Sequence, residues 1–275
     1  MAIEPHEVYP NAPVALVAVE IRFPGEVGGP LSPEAQQAVT DALGEDWVTE
    51  AAVVPGISVN LGGGLPMTLP GSTILRFVDR ERGAALAFTA GSLSVETTRY
   101  LNWPAFRAQI TSAVDAAGEA LRPVGVTRVG VRFIDELRAP NADGMAWGRW
   151  LSPTLLPPAA EAMVAADWPA LAWGGAVQYT IGRDRSLVLN YGPKPAVPGW
   201  AVPPDGALRR SGPRPAGPFF LLDFDASWQP AAVPRWDGES LLETCDELRH
   251  PVRTLFDLIV TADLVENIFK EVASE

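Results

Sequence analysis

Two histidines, His6 and His250, and one cysteine, Cys245, are the whole supply of imidazole and thiol in this chain. His250 follows Asp246 by four residues, which on a helix puts both on one face. Cys245 falls one position off that face, so a Cys/His/Asp site competes with a plainer reading, a small buried thiol beside a helix-surface ion pair. No G-x-S-x-G elbow and no S-x-x-K pair occurs. Two distant histidines supply neither H-E-x-x-H nor a facial triad. The acids offer more. Asp223 and Asp225 share one face of an expected strand, and Asp135 and Glu136 close another. Such carboxylates suit an Mg²⁺ or Ca²⁺ site, or else pair with arginines. Gly62-Gly63-Gly64 is not followed by G-K-[ST] and reads as a turn. The expectation is therefore no catalytic residue, no metal ligands and no cofactor.

Arginines on strands form the stronger pattern. Arg22 alternates with Val19, Ile21 and Phe23, and Arg128 and Arg132 alternate with Val129, Val131 and Phe133. Side chains along a strand alternate between faces, so these arginines share the face opposite the apolar residues. Glu20 and Asp223/Asp225 could then lie across from them. The plain reading is a set of exposed ion pairs worth about 0–1 kcal/mol each. The sharper one is a ligand-binding groove made by Arg22, Arg128, Arg132, Glu20, Asp223 and Asp225. Guanidinium forks there would hold a carboxylate or a peptide backbone, and Gly130 would permit close approach.

The elements that must position them repeat. Val19-Glu20-Ile21-Arg22-Phe23 returns as Val129-Gly130-Val131-Arg132-Phe133, 110 residues on. After the first strand, Ser32-Pro33-Glu34 supplies a helix N-cap, an N1 proline and an acidic first turn, and Gly44 stops that helix. Residues 52–72, rich in glycine and proline, read as loop or irregular strands. Three short strands follow from Thr73 to Thr97. Asn102 then caps a helix whose Phe106, Ile110, Val114, Ala117 and Leu121 share a face. In the second half, helical segments near 145–151 and 158–166 precede a hairpin about Gly182-Arg183-Asp184. A strand from Phe219 and a helical stretch from about Glu239 to Phe269, with a break or kink near Pro251, complete it. Both halves read β-α-β-β-β-α. The expected fold is α+β, with residues 1–124 and 125–275 as two related halves, each an antiparallel sheet packed on a long helix. Eight prolines in 193–218 make that stretch an extended, mobile insertion.

Composition narrows the partners. The formal charge is −12, from 21 basic and 33 acidic residues. An acidic surface repels phosphate backbones, so nucleic acid is not expected as a partner; the best local exception is Arg209, Arg210 and Arg214. No apolar run reaches the roughly 20 residues that span a bilayer, and no signal-peptide pattern opens the chain. A soluble cytoplasmic protein that engages no membrane is the expectation. Most of the nine tryptophans should be packing residues. Trp147, Trp150, Trp168 and Trp173, with Trp200, Trp228 and Trp236 around the insertion, also suit recognition of a peptide or protein.

Four blocks together resemble a known set of proteins. They are Tyr9-Pro10-Asn11-Ala12-Pro13 with the Val19–Phe23 strand, Tyr100 to Phe106, Thr127 to Ile134, and Leu255-Phe256 through Val260-Thr261. Their order and spacing are similar to those of a sporadically distributed family of uncharacterised bacterial proteins of about 250–275 residues. The third block in that family usually ends aromatic-Ile-Asn, where this chain has Phe133-Ile134-Asp135. The family implies no particular activity. With histidine, cysteine and lysine scarce, the expectation is a non-catalytic peptide- or protein-binding accessory protein, in a setting such as precursor-peptide recognition in a bacterial natural-product pathway. The alternatives are a carboxylate- or metal-dependent enzyme and a structural or defence-system component. The oligomeric state is left open.

Overall fold

The computed structural model describes residues 9–25, 30–54, 58–59, 67–68, 72–139, 144–157, 166, 173–194, 208–210 and 218–270. Eleven strands and three main helices are built from them. Strand β1 is Val14–Arg22, helix α1 Pro33–Leu43 and strand β2 Trp47–Val54. Ser58–Val59 (β3) and Met67–Thr68 (β4) pair as a small ribbon. Next come β5 (Ser72–Asp79), β6 (Ala84–Phe88), β7 (Ser92–Thr97) and α2 (Trp103–Ala120). The second half supplies β8 (Arg128–Leu137), β9 (Gly175–Gly182), β10 (Arg185–Lys194), β11 (Phe219–Trp228) and α3 (Gly238–Ile259).

The class is α+β and the sheet antiparallel, as expected. The expectation of two sheets, one per half, is not what the strands do. Nine of them form one sheet in the order β2-β5-β6-β7-β1-β8-β11-β10-β9. The join is β1 against β8, with Val17 opposite Phe133, Val19 opposite Val131 and Ile21 opposite Val129. The two similar pentapeptides therefore lie side by side and antiparallel. Residues 110 apart even meet: Glu20 is opposite Gly130.

Local chemistry explains most boundaries. The Ser32 hydroxyl accepts from Ala35 N–H and starts α1, and Gly44 at φ 73° ends it. Asn102 Oδ1 accepts from Ala105 N–H at 2.9 Å and starts α2. In the long C-terminal helix a break at Pro251 does not occur, and the helix ends before Phe269. It runs unbroken through Pro251 and stops at Val260, which bridges to Leu151. Proline removes one helix hydrogen bond, but buried Leu248, Val252, Phe256 and Ile259 lie on both sides of Pro251 and hold the helix to the sheet. A single turn at Ala262–Leu264, capped by Thr261, and a π turn at Val265–Phe269 follow.

Helices cover one face of the sheet. Val17, Val19, Ile21, Leu93, Val95, Val129, Val131, Phe224 and Ala226 meet Phe106, Ile110, Leu241 and Leu248 in a single core. Trp147 is 1% exposed, at 5.3 Å from the Phe220 ring, and Trp150 and Leu151 are buried beside it. The segment expected to be helical near 145–151 is a 3-10 turn, Gly144–Arg149, that plugs this core. On the other face a smaller cluster holds Ala15, Val78, Ala85, Ile134, Phe219 and Leu221 around Leu208. So one piece of the proline-rich stretch is packed rather than extended and free: Leu208 is buried, and Arg209 N–H donates to Arg82 O at 2.7 Å. Pro193 and Lys194 belong to β10. His6, Gly62-Gly63-Gly64, Trp168, Trp200, Arg214, the remaining insertion residues and most of the helix expected at 158–166 lie outside the described residues.

Because Trp147 plugs the core beneath β11, Trp147→Ala should destabilise the fold by about 3–5 kcal/mol. Urea denaturation followed by far-UV circular dichroism measures it.

Candidate functional site

On the face that none of the described helices covers, all six residues singled out from the sequence come together across β1, β8 and β11. Arg128 Nη1 donates to Glu20 Oε2 at 2.6 Å, and its Nη2 donates to Asp225 Oδ1 at 3.2 Å. Arg132 holds Asp223 with two bonds of 2.8 Å, from Nε to Oδ1 and from Nη2 to Oδ2. Arg22 Nε lies 3.0 Å from Glu20 Oε2, as an ion contact rather than an aligned hydrogen bond. The arrangement follows from register: Arg132 is directly opposite Asp225 and Arg22 opposite Arg128.

Gly130 does a different job from the one expected. A Cβ there would stand 2.3 Å from Arg128 Nη1. The missing side chain is thus the space in which Arg128 lies flat and bridges Glu20 to Asp225. Arg128 is 16% exposed along its side chain, whereas Arg22 and Arg132 are 41% and 49% exposed. The last two are the guanidiniums that solvent, or a ligand, can reach.

The network spreads along the sheet. Burial raises the pKa of Glu96 on β7, against the pull of Arg76 and Arg132. Burial likewise raises that of Asp225, with Arg128 and Arg132 opposing and the Asp223 and Glu20 charges assisting. Hydrogen bonding to Asp223 raises the pKa of Arg132. At the end of β8, burial disfavours the charge on Glu136, but Arg210 and Arg138 outweigh it and hold the carboxyl low. Arg210 Nη1 donates to Glu136 Oε1 at 2.9 Å. Two members of the suspected basic patch are therefore committed inside the fold, Arg210 by its side chain and Arg209 by its backbone. Between the charges runs a row of small residues: Ala87, Ser94, Gly130, Ser227 and Ser186 line up through paired strands, interrupted by Glu20.

Asp135 does not join this group. It is opposite Leu222 in register and so faces the helices. Asp223 and Asp225 face the other way and are already held by arginines. Of the four carboxylates considered for a cation, Asp135 is thus on one side of the sheet and Asp223, Asp225 and Glu136 on the other, and among the described residues no three His, Cys, Asp or Glu side chains are grouped to hold a metal ion. Asp135 is 3% exposed. Burial, only partly offset by the Arg253 charge, pushes its pKa up to about 7.

Residues of three of the four sequence blocks gather toward the end of β8 that carries Asp135: Pro13 O accepts from Glu136 N–H, and the Tyr100 and Asp135 side chains are close enough to influence each other's charge. Tyr9 packs on Phe269 at 5.5 Å and accepts from Arg253 Nη2 at 3.3 Å. Asn11 Nδ2 donates to Ile268 O. Tyr100 meets Phe133 at 5.6 Å, and Arg249 lies over the Trp103 ring at 5.4 Å. The suspected Cys/His/Asp site nearby dissolves. Cys245 is fully buried with its thiol pushed up to about 12, His250 is exposed, and Asp246 accepts from Trp103 and Arg107. The described tryptophans expected at loops are packing residues: Trp173, Trp228 and Trp236 all lie against the main core.

Comparison with protein-family models finds no match to the chain, and comparison with curated proteins finds no significant one. None of the helices among the described residues is long and apolar enough to cross a membrane.

Two outcomes follow. Arg128→Met should lower stability by about 1–2 kcal/mol, because it leaves Glu20 and Asp225 charged without their bridge. Adding Glu20→Gln should recover part of that loss in a double-mutant cycle. For Asp135 the folded-state pKa lies above the unfolded one, so the folded state binds more protons and stability falls as pH rises from about 4 to 7. Asp135→Asn should flatten that fall and raise Tm at pH 8.5 by about 3 °C or more, read by differential scanning calorimetry.

Proposed function

We propose that this chain is a non-catalytic accessory protein that binds a peptide or protein segment on the open face of its sheet. The observation that carries the reading is the placement of Arg22 and Arg132. They are the half-exposed guanidiniums of the network, on neighbouring central strands, either side of the row of small residues. An extended chain lying along that row would find room above Ser94 and Ser227 and two forks for its carbonyls or a carboxylate. The carboxylates on this face favour binding over catalysis, since Asp223 and Asp225 are engaged by arginine. A precursor peptide of a bacterial natural-product pathway is the class of ligand proposed, in a cytoplasmic setting.

Two related proposals accompany it. The halves descend from one ancestral unit. Support comes from strand order, since β1-β7-β6-β5 and β8-β11-β10-β9 run outward from the join in the same sequence of connections, each ending in a long helix. The meeting of Glu20 with Gly130 puts a local two-fold relation at the join. In this reading β2 and α1 are additions to the first half. Membership in the sporadically distributed bacterial family is proposed on the four blocks, three of which contribute residues near the end of β8 that carries Asp135.

Isothermal calorimetry with synthetic peptides encoded beside this gene tests the binding reading. One of them should bind with micromolar or tighter affinity, and Arg22→Ala with Arg132→Ala should weaken it at least about tenfold, or 1.4 kcal/mol. Absence of heat with every such peptide, or binding indifferent to both substitutions, overturns it.

A further inference from the structure

The sheet has an edge that nothing among the described residues protects. Strand β9 pairs with β10 alone. Its residues, Gly-Ala-Val-Gln-Tyr-Thr-Ile-Gly, include no acid, lysine, arginine or proline. Ala176 to Thr180 are all exposed, Val177 and Tyr179 at 37% and 38%. Its register with β10 is regular except at the hairpin turn. Edge strands are ordinarily blunted by charge, proline, a bulge or a covering element, because their free N–H and C=O groups pair readily with another strand. The opposite edge follows that rule: Glu45 and Asp46 precede β2, and Glu50 within it pairs with Arg82.

We infer that β9 is the edge at which two copies of this chain join, strand to antiparallel strand, about a two-fold axis at Gln178. The argument is one of charge and self-complementarity. Two bodies each carrying −12 repel wherever acid meets acid. Here eight uncharged residues face eight uncharged residues. The charged turn Arg183-Asp184-Arg185 lies at one end of β9, so an antiparallel pair sends the two turns to opposite ends. With the axis at Gln178, Val177 is opposite Tyr179 and Ala176 opposite Thr180 of the other copy. Val177 and Tyr179 thereby meet on one face, and the uncharged Ala176, Gln178 and Thr180 meet on the other. Arg183 of each copy falls opposite Trp173 of the other. The Arg183 side chain is 93% exposed, 3.9 Å from Asp184, and Trp173 is a part-exposed ring of the kind guanidinium groups stack on. Isologous pairing of this sort is the commonest route to a dimer. The inference stands apart from the binding reading, which uses the middle of the open face.

A cysteine at the axis tests it. Gln178→Cys places two thiols opposite each other, within the Cα separations that a disulfide spans. Diamide, which accepts the two thiol hydrogens, should convert this variant to a covalent dimer at least tenfold faster than Glu243→Cys, an exposed control on α3. Cys245 is buried and stays silent. Light scattering on the unmodified protein at about 50 µM should give twice the chain mass, and Tyr179→Lys should halve it while leaving Tm within a few degrees. A monomer at that concentration, with Gln178→Cys no faster than the control, overturns the inference and leaves the edge to an extended peptide of another protein. If Tyr179→Lys fails to fold, the cross-linking rate and the mass of the unmodified protein still decide.

Discussion

Antiparallel pairing of β1 with β8 is the interaction on which the rest depends. It makes one sheet of two sets of strands. On the helix side it closes Val17, Val19 and Ile21 against Phe133, Val131 and Val129, all of them buried. On the open side the same register brings Arg22 beside Arg128 and Glu20 beside Gly130. A slip of one residue would turn the apolar set to solvent and the arginines into the core. Core and charge network are thus two consequences of one alignment. Arg128 reinforces it from above, reaching from β8 to Glu20 on β1 and to Asp225 on β11.

The two faces of the sheet do different work. Among the described residues Asp135 is the one buried acid on the helix-covered face, and burial holds its pKa near neutrality. Arg249, Arg253, Tyr9 and Tyr100 gather near it, where the N-terminal segment, α2 and α3 meet the end of β8. The open face collects nearly balanced charge around small side chains. Its arginines do not stand free: Arg128 and Arg132 each commit two donors to carboxylates. What they offer a ligand is a preformed, oriented surface in which the forks need no reorganisation.

Much of this was legible in the sequence, for physical reasons that can be named. Alternation in Val14–Phe23 and Val129–Phe133 identifies strands because both bury one face. Ser32, Gly44 and Asn102 mark helix ends because caps satisfy orphan backbone groups. The six residues of the open face were readable from parity alone. Other features were not. Strand β2 is hidden because Trp47–Val54 runs into a stretch dominated by glycine and proline. Pro251 signals a break or kink, and the apolar residues flanking it override the break. The single sheet was missed because strand pairing between halves is a long-range choice that no local pattern records. Asp135 and Glu136 look equivalent in sequence, yet adjacent positions on a strand face opposite ways, one into the helix layer and one onto Arg210.

Native-state hydrogen exchange, resolved by residue, tests the central claim most directly. If the β1–β8 pairing unites the chain, the amides of Val17–Ile21 and Val129–Phe133 should exchange only through global unfolding. They should share one opening free energy and respond alike to denaturant, together with the slowest amides of β7 and β11. Exchange of one half's strands at distinctly lower free energy than the other's would show two independently folding units, and would contradict the account.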